Sequence, residues 1–157
     1  MNTYHFQLVA DHNQWYLEDV NASPATAASP EFWTPAAMSA ALASARDMAA
    51  FGTVRTGTVI VSVSVQGAAP EDDVRTWDQV VDAAIETSSG QLVVAGCTEP
   101  RESAERINLA PGVYNLRAYY GNLDIDDPDA DDGDDFYNVV LWPGSWRERV
   151  VVKRYGD

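Results

Sequence analysis

Residues 56–67 read TGTVIVSVSVQG and constrain the fold more than any other stretch. Val59, Val61, Val63 and Val65 alternate with Ile60, Ser62 and Ser64. Successive side chains of an extended chain point to opposite faces, so this spacing predicts a strand with one apolar face. Such a face is stable only when a second layer covers it. Similar patterns recur along the chain. Tyr4, Phe6 and Leu8 alternate with His5, Gln7 and Val9; Asp11-His12-Asn13 supplies turn chemistry; residues 14–20 read as the returning strand.

Three more strand–turn–strand blocks follow. Residues 91–96 come after Ser88-Ser89-Gly90 as the second arm of a hairpin. Residues 106–109 and 113–121 flank Ala110-Pro111-Gly112, where Pro and Gly are placed as in a type II turn. Residues 136–142 and 146–155 flank Pro143-Gly144-Ser145. Residues 76–86 admit two readings. Thr76 and Gln79 fit a helical capping box, with Trp77, Val80, Val81, Ala84 and Ile85 as the stripe; Val81, Ala83 and Ile85 fit one face of a strand. The hairpin context favours the strand.

One helix is expected, at about 35–50. Thr34 suits its cap, Pro35 its first position, and Gly52 its stop, while Met38, Leu42, Ala45 and Met48 fall near the helical period. The Ala/Ser/Pro-rich stretch 22–30 and residues 67–73 read as loops. The expected fold is mainly β: an antiparallel sandwich of seven to nine strands with one α-helix, forming a single domain over 1–157.

Charge narrows the function. The chain has 24 acidic and 10 basic residues in 157, for a net charge of −14. That field repels phosphate backbones and anionic membranes, so the expected partner is a basic protein or a cation. No apolar run is long enough for a membrane helix, and residues 1–12 lack the pattern of a signal peptide. The lone Cys97 cannot close an internal disulfide. A cytoplasmic protein is expected.

The charge is concentrated. Residues 124–135 read DIDDPDADDGDD, and neutralising their eight aspartates would take the net charge from −14 to −6. These are Asp124, Asp126, Asp127, Asp129, Asp131, Asp132, Asp134 and Asp135. Extended, the segment carries about one charge per 5 Å, against about one phosphate per 3.4 Å on a DNA strand. Three readings fit: a solvated loop, a surface for the basic groove of a nuclease, or a calcium loop. The spacing fails the EF-hand pattern, because Gly133 comes one place late from Asp127 and Asn138 stands at the final position. The aromatics Tyr119, Tyr120, Trp142 and Trp146 flank this loop and the last turn, and aromatics of this kind anchor binding surfaces.

No catalytic motif appears. There is no Gly-x-Ser-x-Gly elbow, no phosphate-cradling glycine loop and no zinc spacing, and the two histidines are His5 and His12. No cofactor is implied.

The order of elements resembles the competence protein J family, inhibitors of the bacterial DNA-entry nuclease. The matching pieces are Tyr4-His5-Phe6-Gln7-Leu8, Trp33 before the helix, the helix ending at Gly52, and the valine strand 59–65. They continue with the hairpin around Gly90 and with Ile107-Asn108-Leu109-Ala110-Pro111-Gly112-Val113-Tyr114-Asn115-Leu116. The likeness covers roughly residues 3–120; the acidic segment and the tail depart from it. It implies an intracellular protein that binds and blocks a nuclease and has no catalysis of its own. The expected function is therefore a nuclease or toxin inhibitor that occludes a basic active-site surface. The alternative is a calcium- or carbohydrate-binding sandwich module, and a third reading is a small acidic hydrolase.

Overall fold

A computed structural model of the chain describes residues 1–156. Eleven strands form two sheets. They are β1 (Asn2–Val9), β2 (Gln14–Asp19), β3 (Leu42–Ala45), β4 (Met48–Gly52), β5 (Thr58–Val65), β6 (Gln79–Thr87), β7 (Gln91–Gly96), β8 (Glu105–Asn108), β9 (Gly112–Gly121), β10 (Phe136–Pro143) and β11 (Val150–Lys153). The first sheet has the order β1-β5-β10-β9-β6-β11 and the second β3-β4-β2-β7-β8. All neighbours are antiparallel except β5 and β10, which run parallel. The mainly β sandwich expected from the alternation is present, and 79–87 is a strand.

The core lies between the sheets. Val59, Val61 and Val63 point inward together with Leu8, Val81, Ile85, Leu116, Val139 and Leu141, against Trp15, Leu17, Leu42, Phe51, Leu92 and Ile107 of the facing sheet. The second sheet is covered on its other face as well. Tyr16, Ala43, Met48 and Ala50 pack there under Phe32 and Ala37.

That double burial explains a correction. The helix expected at 35–50 ends early. It spans Pro35–Ala40, capped as expected by Thr34, whose Oγ1 accepts from the Ala37 N–H at 3.1 Å. A short helix at Pro24–Ala28 precedes it, within the stretch read as loop. We name these α2 (Pro35–Ala40) and α1 (Pro24–Ala28). The rest of the expected helix is the β3–β4 hairpin. A strand buried on both faces is apolar throughout, so its sequence loses the period of two that marks a strand.

The reversals also differ from expectation. The strands flanking Asp11-His12-Asn13, Ser88-Ser89-Gly90 and Ala110-Pro111-Gly112 do not pair with each other; in each case the chain crosses from one sheet to the other. After Pro143 the chain passes over β9 and β6 to reach the sheet edge, where β11 pairs with the outer side of β6. Turn residues mark where a chain reverses, whereas the hydrogen-bond partner is chosen by which apolar faces stack.

Asp19 holds one of these crossings. Its buried carboxylate accepts from Thr87 Oγ1 and Ser89 Oγ, both at 2.6 Å, and from the Asn21 N–H at 2.9 Å. Burial pushes its pKa up, but the hydrogen bonds from Ser89, Thr87 and Asn21 outweigh it and hold the carboxyl below the usual 3.8. A depressed folded pKa contributes stability above the unfolded value and loses it as pH falls through the folded one. Asp19→Ala should therefore destabilise the fold by about 1–3 kcal/mol at pH 7, by urea denaturation, with the difference from wild type shrinking below pH 3.8.

Candidate functional site

The acidic loop joins β9 to β10 and is built around Arg55, in the connection between β4 and β5. The Arg55 guanidinium is buried and all three of its nitrogens donate. Nε donates to Asp135 Oδ1 at 2.6 Å, Nη1 to the Ala130 carbonyl at 3.0 Å, and Nη2 to the Thr58 carbonyl at 2.6 Å. The other oxygen of Asp135 accepts from the Tyr137 hydroxyl at 2.7 Å, and that hydroxyl accepts from the Val54 N–H at 3.1 Å.

Backbone contacts continue the attachment. The Thr58 N–H donates to the Asp131 carbonyl at 2.7 Å and the Thr56 N–H to the Pro128 carbonyl at 3.2 Å. Two glycines permit this approach. A Cβ at Gly57 would lie 2.4 Å from the Ala130 oxygen, and one at Gly133 would lie 2.6 Å from Arg55 Nε. The loop is thus tied to the scaffold between Pro128 and Asp135.

Asp135 faces inward and is occupied by Arg55 and Tyr137. Asp124, Asp126, Asp127, Asp129, Asp131, Asp132 and Asp134 are exposed. Several of them rim a cavity of about 640 Å³ floored by Arg55. The Arg55 charge is already engaged by Asp135 at 2.6 Å, so it does little to neutralise the exposed seven. Like charges gathered on one surface produce a local potential that draws cations and basic proteins. Among the described residues, no three His, Cys, Asp or Glu side chains are grouped so as to hold a metal ion.

The four aromatics are divided. Tyr119 is buried on the outer side of its sheet, against Trp77, and donates to Asp72 Oδ1 at 2.6 Å. Tyr120 points into the core, packs edge-on to Tyr137 and donates to the Ala41 carbonyl. Trp142 and Trp146 lie elsewhere. Trp142 pairs with Asn115, six residues along β10 from the Phe136–Gly121 pair at the acidic end, or about 20 Å away. Trp146 sits under the Arg46 guanidinium, 4.4 Å from its centre. Adjacency in the chain thus placed both tryptophans beside the loop, whereas β10 carries them to the opposite end of the sheet.

A second concave feature adjoins the loop and was not visible in the sequence. It is an apolar groove of about 440 Å³, with Trp33, Met38, Gly52, Val54, Leu123 and Tyr155 on its walls. Met38 is 67% exposed, although its spacing had suggested a core position. Only its exposed apolar surface signals a site, and exposure cannot be read from spacing.

Cys97 is half-buried, and its nearest acceptor is Gln14 Oε1 at 3.6 Å. Burial pushes its thiol pKa up, which is the opposite of activation.

No family model matches the chain, and neither does any curated protein. Two solved structures share its fold. One is the crystal structure of ComJ, inhibitor of the DNA degrading activity of NucA, from Bacillus subtilis, with a TM-score of 0.66 at 14% identity over 91% of this chain and 98% of that one. The other is described as crocagin biosynthetic gene J, with a TM-score of 0.63 at 20% identity over 92% and 98% of the two chains. The likeness to ComJ agrees with the resemblance to the competence protein J family. It also extends further, since 91% of the chain exceeds what residues 3–120 supply, so part of the tail shares the fold.

Arg55→Leu should lower stability by about 3–5 kcal/mol, because it leaves Asp135 buried and unpaired. Hydrogen exchange across 122–134 should rise in the same variant. Arg55→Lys should recover little, since an ammonium cannot reproduce the planar fork. Unchanged exchange in the leucine variant would show that Arg55 does not hold the loop.

Proposed function

We propose that this protein is an inhibitor of a nuclease or a similarly basic toxin, and that it acts by laying its acidic end over the enzyme's cationic surface. The observation that carries this reading is the anionic rim of seven exposed aspartates on a loop held by Arg55. A rim already held in place loses less conformational freedom on binding than a disordered acidic tail would. The fold shared with ComJ, described as an inhibitor of the DNA degrading activity of NucA, supports the same reading.

In this reading the loop stands in for the phosphates of the enzyme's substrate. Asp124, Asp126, Asp127, Asp129, Asp131, Asp132 and Asp134 would pair with Lys and Arg around the target's active site, while Asp135 serves only to hold the loop. Tyr119, Trp142 and Trp146 leave the contact surface on grounds of burial or position, and Tyr120 lies at the wall of the apolar groove beside the rim. The protein acts as one sandwich domain in the cytoplasm, with no cofactor, no catalysis of its own and no direct contact with nucleic acid or membrane. Among the described residues, no helix is long and apolar enough to cross a membrane.

The test is binding to the product of each neighbouring gene, and inhibition of any nuclease or toxin activity that product has. Changing the seven exposed aspartates to asparagine should slow association at low salt by about tenfold or more and flatten its dependence on ionic strength. Thermal unfolding should be unaffected or improved, because mutual repulsion is relieved. A variant that associates and inhibits as fast as the wild type at every salt concentration would refute the charge-based mechanism.

A further inference from the structure

The apolar groove and the acidic rim are two halves of one surface. Three chain segments each give neighbouring residues to both: Asp78 and Gln79, Leu123 and Asp124, Val54 and Arg55. Consecutive Cα atoms are about 3.8 Å apart, so the groove and the rim share an edge.

The groove has unusual walls. Two of its polar side chains, Gln79 and Tyr120, are already engaged, while His12 stands exposed at its edge. Gln79 donates from Nε2 to the Ala40 carbonyl and accepts at Oε1 from the Tyr155 N–H at 3.1 Å, and the Tyr120 hydroxyl donates to the Ala41 carbonyl. What remains toward solvent is largely apolar, with Met38 at 67% and Tyr155 at 45% exposure on the lip. Its volume of about 440 Å³ falls within the usual range of ligand sites, roughly 300–1,000 Å³.

Backbone strain gathers at the same place. Among the described residues, four non-glycine residues have positive φ: His12 at 58°, Asn13 at 60°, Ala41 at 58° and Asn122 at 54°. The first three line the groove, and Asn122 lines the acidic cavity. Asn13 and Asn122 offset the cost with side-chain hydrogen bonds to the Thr53 and Asp134 carbonyls, each at 3.1 Å. Ala41 has no side chain that can do so. Such conformations concentrate where a surface must hold a particular shape.

We propose that this groove is the socket for apolar side chains, Phe or Leu in chemistry, carried by a Lys/Arg-rich segment of the partner. The inference rests on the reading that the acidic rim faces that partner. Charge complementarity selects the occupant: an apolar residue entering here brings its neighbours against Asp124, Asp126 and the rest of the rim, so those neighbours must be cationic. The socket supplies the anchor that rim charges lack, since exposed ion pairs contribute about 0–1 kcal/mol each.

Three pentapeptides separate the contributions: Lys-Lys-Phe-Lys-Lys, Lys-Lys-Ser-Lys-Lys and Glu-Glu-Phe-Glu-Glu, each titrated into the ¹⁵N-labelled full chain. The first should shift the amide resonances of Gly52, Val54, Gln79 and Leu123 together with those of 124–134. It should bind about tenfold or more tighter than the serine peptide, and the acidic peptide should not bind. Met38→Ser, an exposed change in α2 that leaves the core intact, should narrow the preference for Phe over Ser by about threefold.

If the phenylalanine and serine peptides bind equally and shift only the loop, the socket is refuted while the acidic rim stands. If the acidic peptide binds as well as the basic one, the cationic partner is refuted while the socket stands as a bare apolar site. If no peptide shifts the groove at millimolar concentration, the socket is refuted. Association measured with the seven-asparagine variant decides the rim reading separately.

Discussion

Arg55 has almost no contact with water, so every donor it carries must find an acceptor inside the protein. Each of its three nitrogens finds one: at Asp135 where β10 begins, at Ala130 in the acidic loop and at Thr58 where β5 begins. A buried guanidinium with a missing acceptor would cost several kcal/mol, and so would a buried Asp135 without its partner. The loop from Ala130 to Asp135 is therefore committed to one place by a charge that cannot be left unpaired. The exposed aspartates, the cavity they rim and the edge shared with the groove all follow from that commitment.

The arrangement sorts eight similar residues into two kinds of work. Asp135 gives up its charge to the interior and shapes the loop; the other seven keep theirs at the surface. Clustered negative charge works against the compact state, and an acidic segment of this composition left alone would be a solvated, extended chain. Buried polar contacts to the β4–β5 connection oppose that tendency without neutralising the outer carboxylates. The result is an anionic surface of defined shape, which differs physically from an acidic tail of the same charge. The topology places the loop between two central strands, β9 and β10, rather than at a free end of the chain.

How much could be read beforehand depended on whether the signal was local. The strand over 58–65 was legible because one of its faces meets the core and the other meets water, which leaves the valine alternation intact. The hairpin over 42–52 was hidden for the opposite reason: both faces are covered, so Leu42-Ala43 and Met48-Ala49-Ala50-Phe51 are apolar without alternation and also fit a helix. The capping of α2 by Thr34 and Pro35 was legible because a cap involves neighbours three residues apart. Its end at Ala41 was not, because alanine carries no preference for the left-handed region that it occupies at φ 58°. The acidic segment announced itself by composition, but nothing in its sequence distinguished Asp135 from its neighbours, since the residue that selects it stands 80 positions away.

By itself, the amino-acid sequence determined that this chain forms strands in two covered layers, reverses at its Asp, Gly and Pro turns, and carries its excess charge in one twelve-residue segment. These are properties of residue type and short spacing, which act over a few residues. The tertiary structure decided which strands pair, which aspartate turns inward, which aromatics reach the surface, and that an apolar groove adjoins the acidic rim. Those outcomes depend on contacts between distant segments, where the cost of an unpaired buried charge or an uncovered apolar face selects one arrangement from many that the local pattern allows.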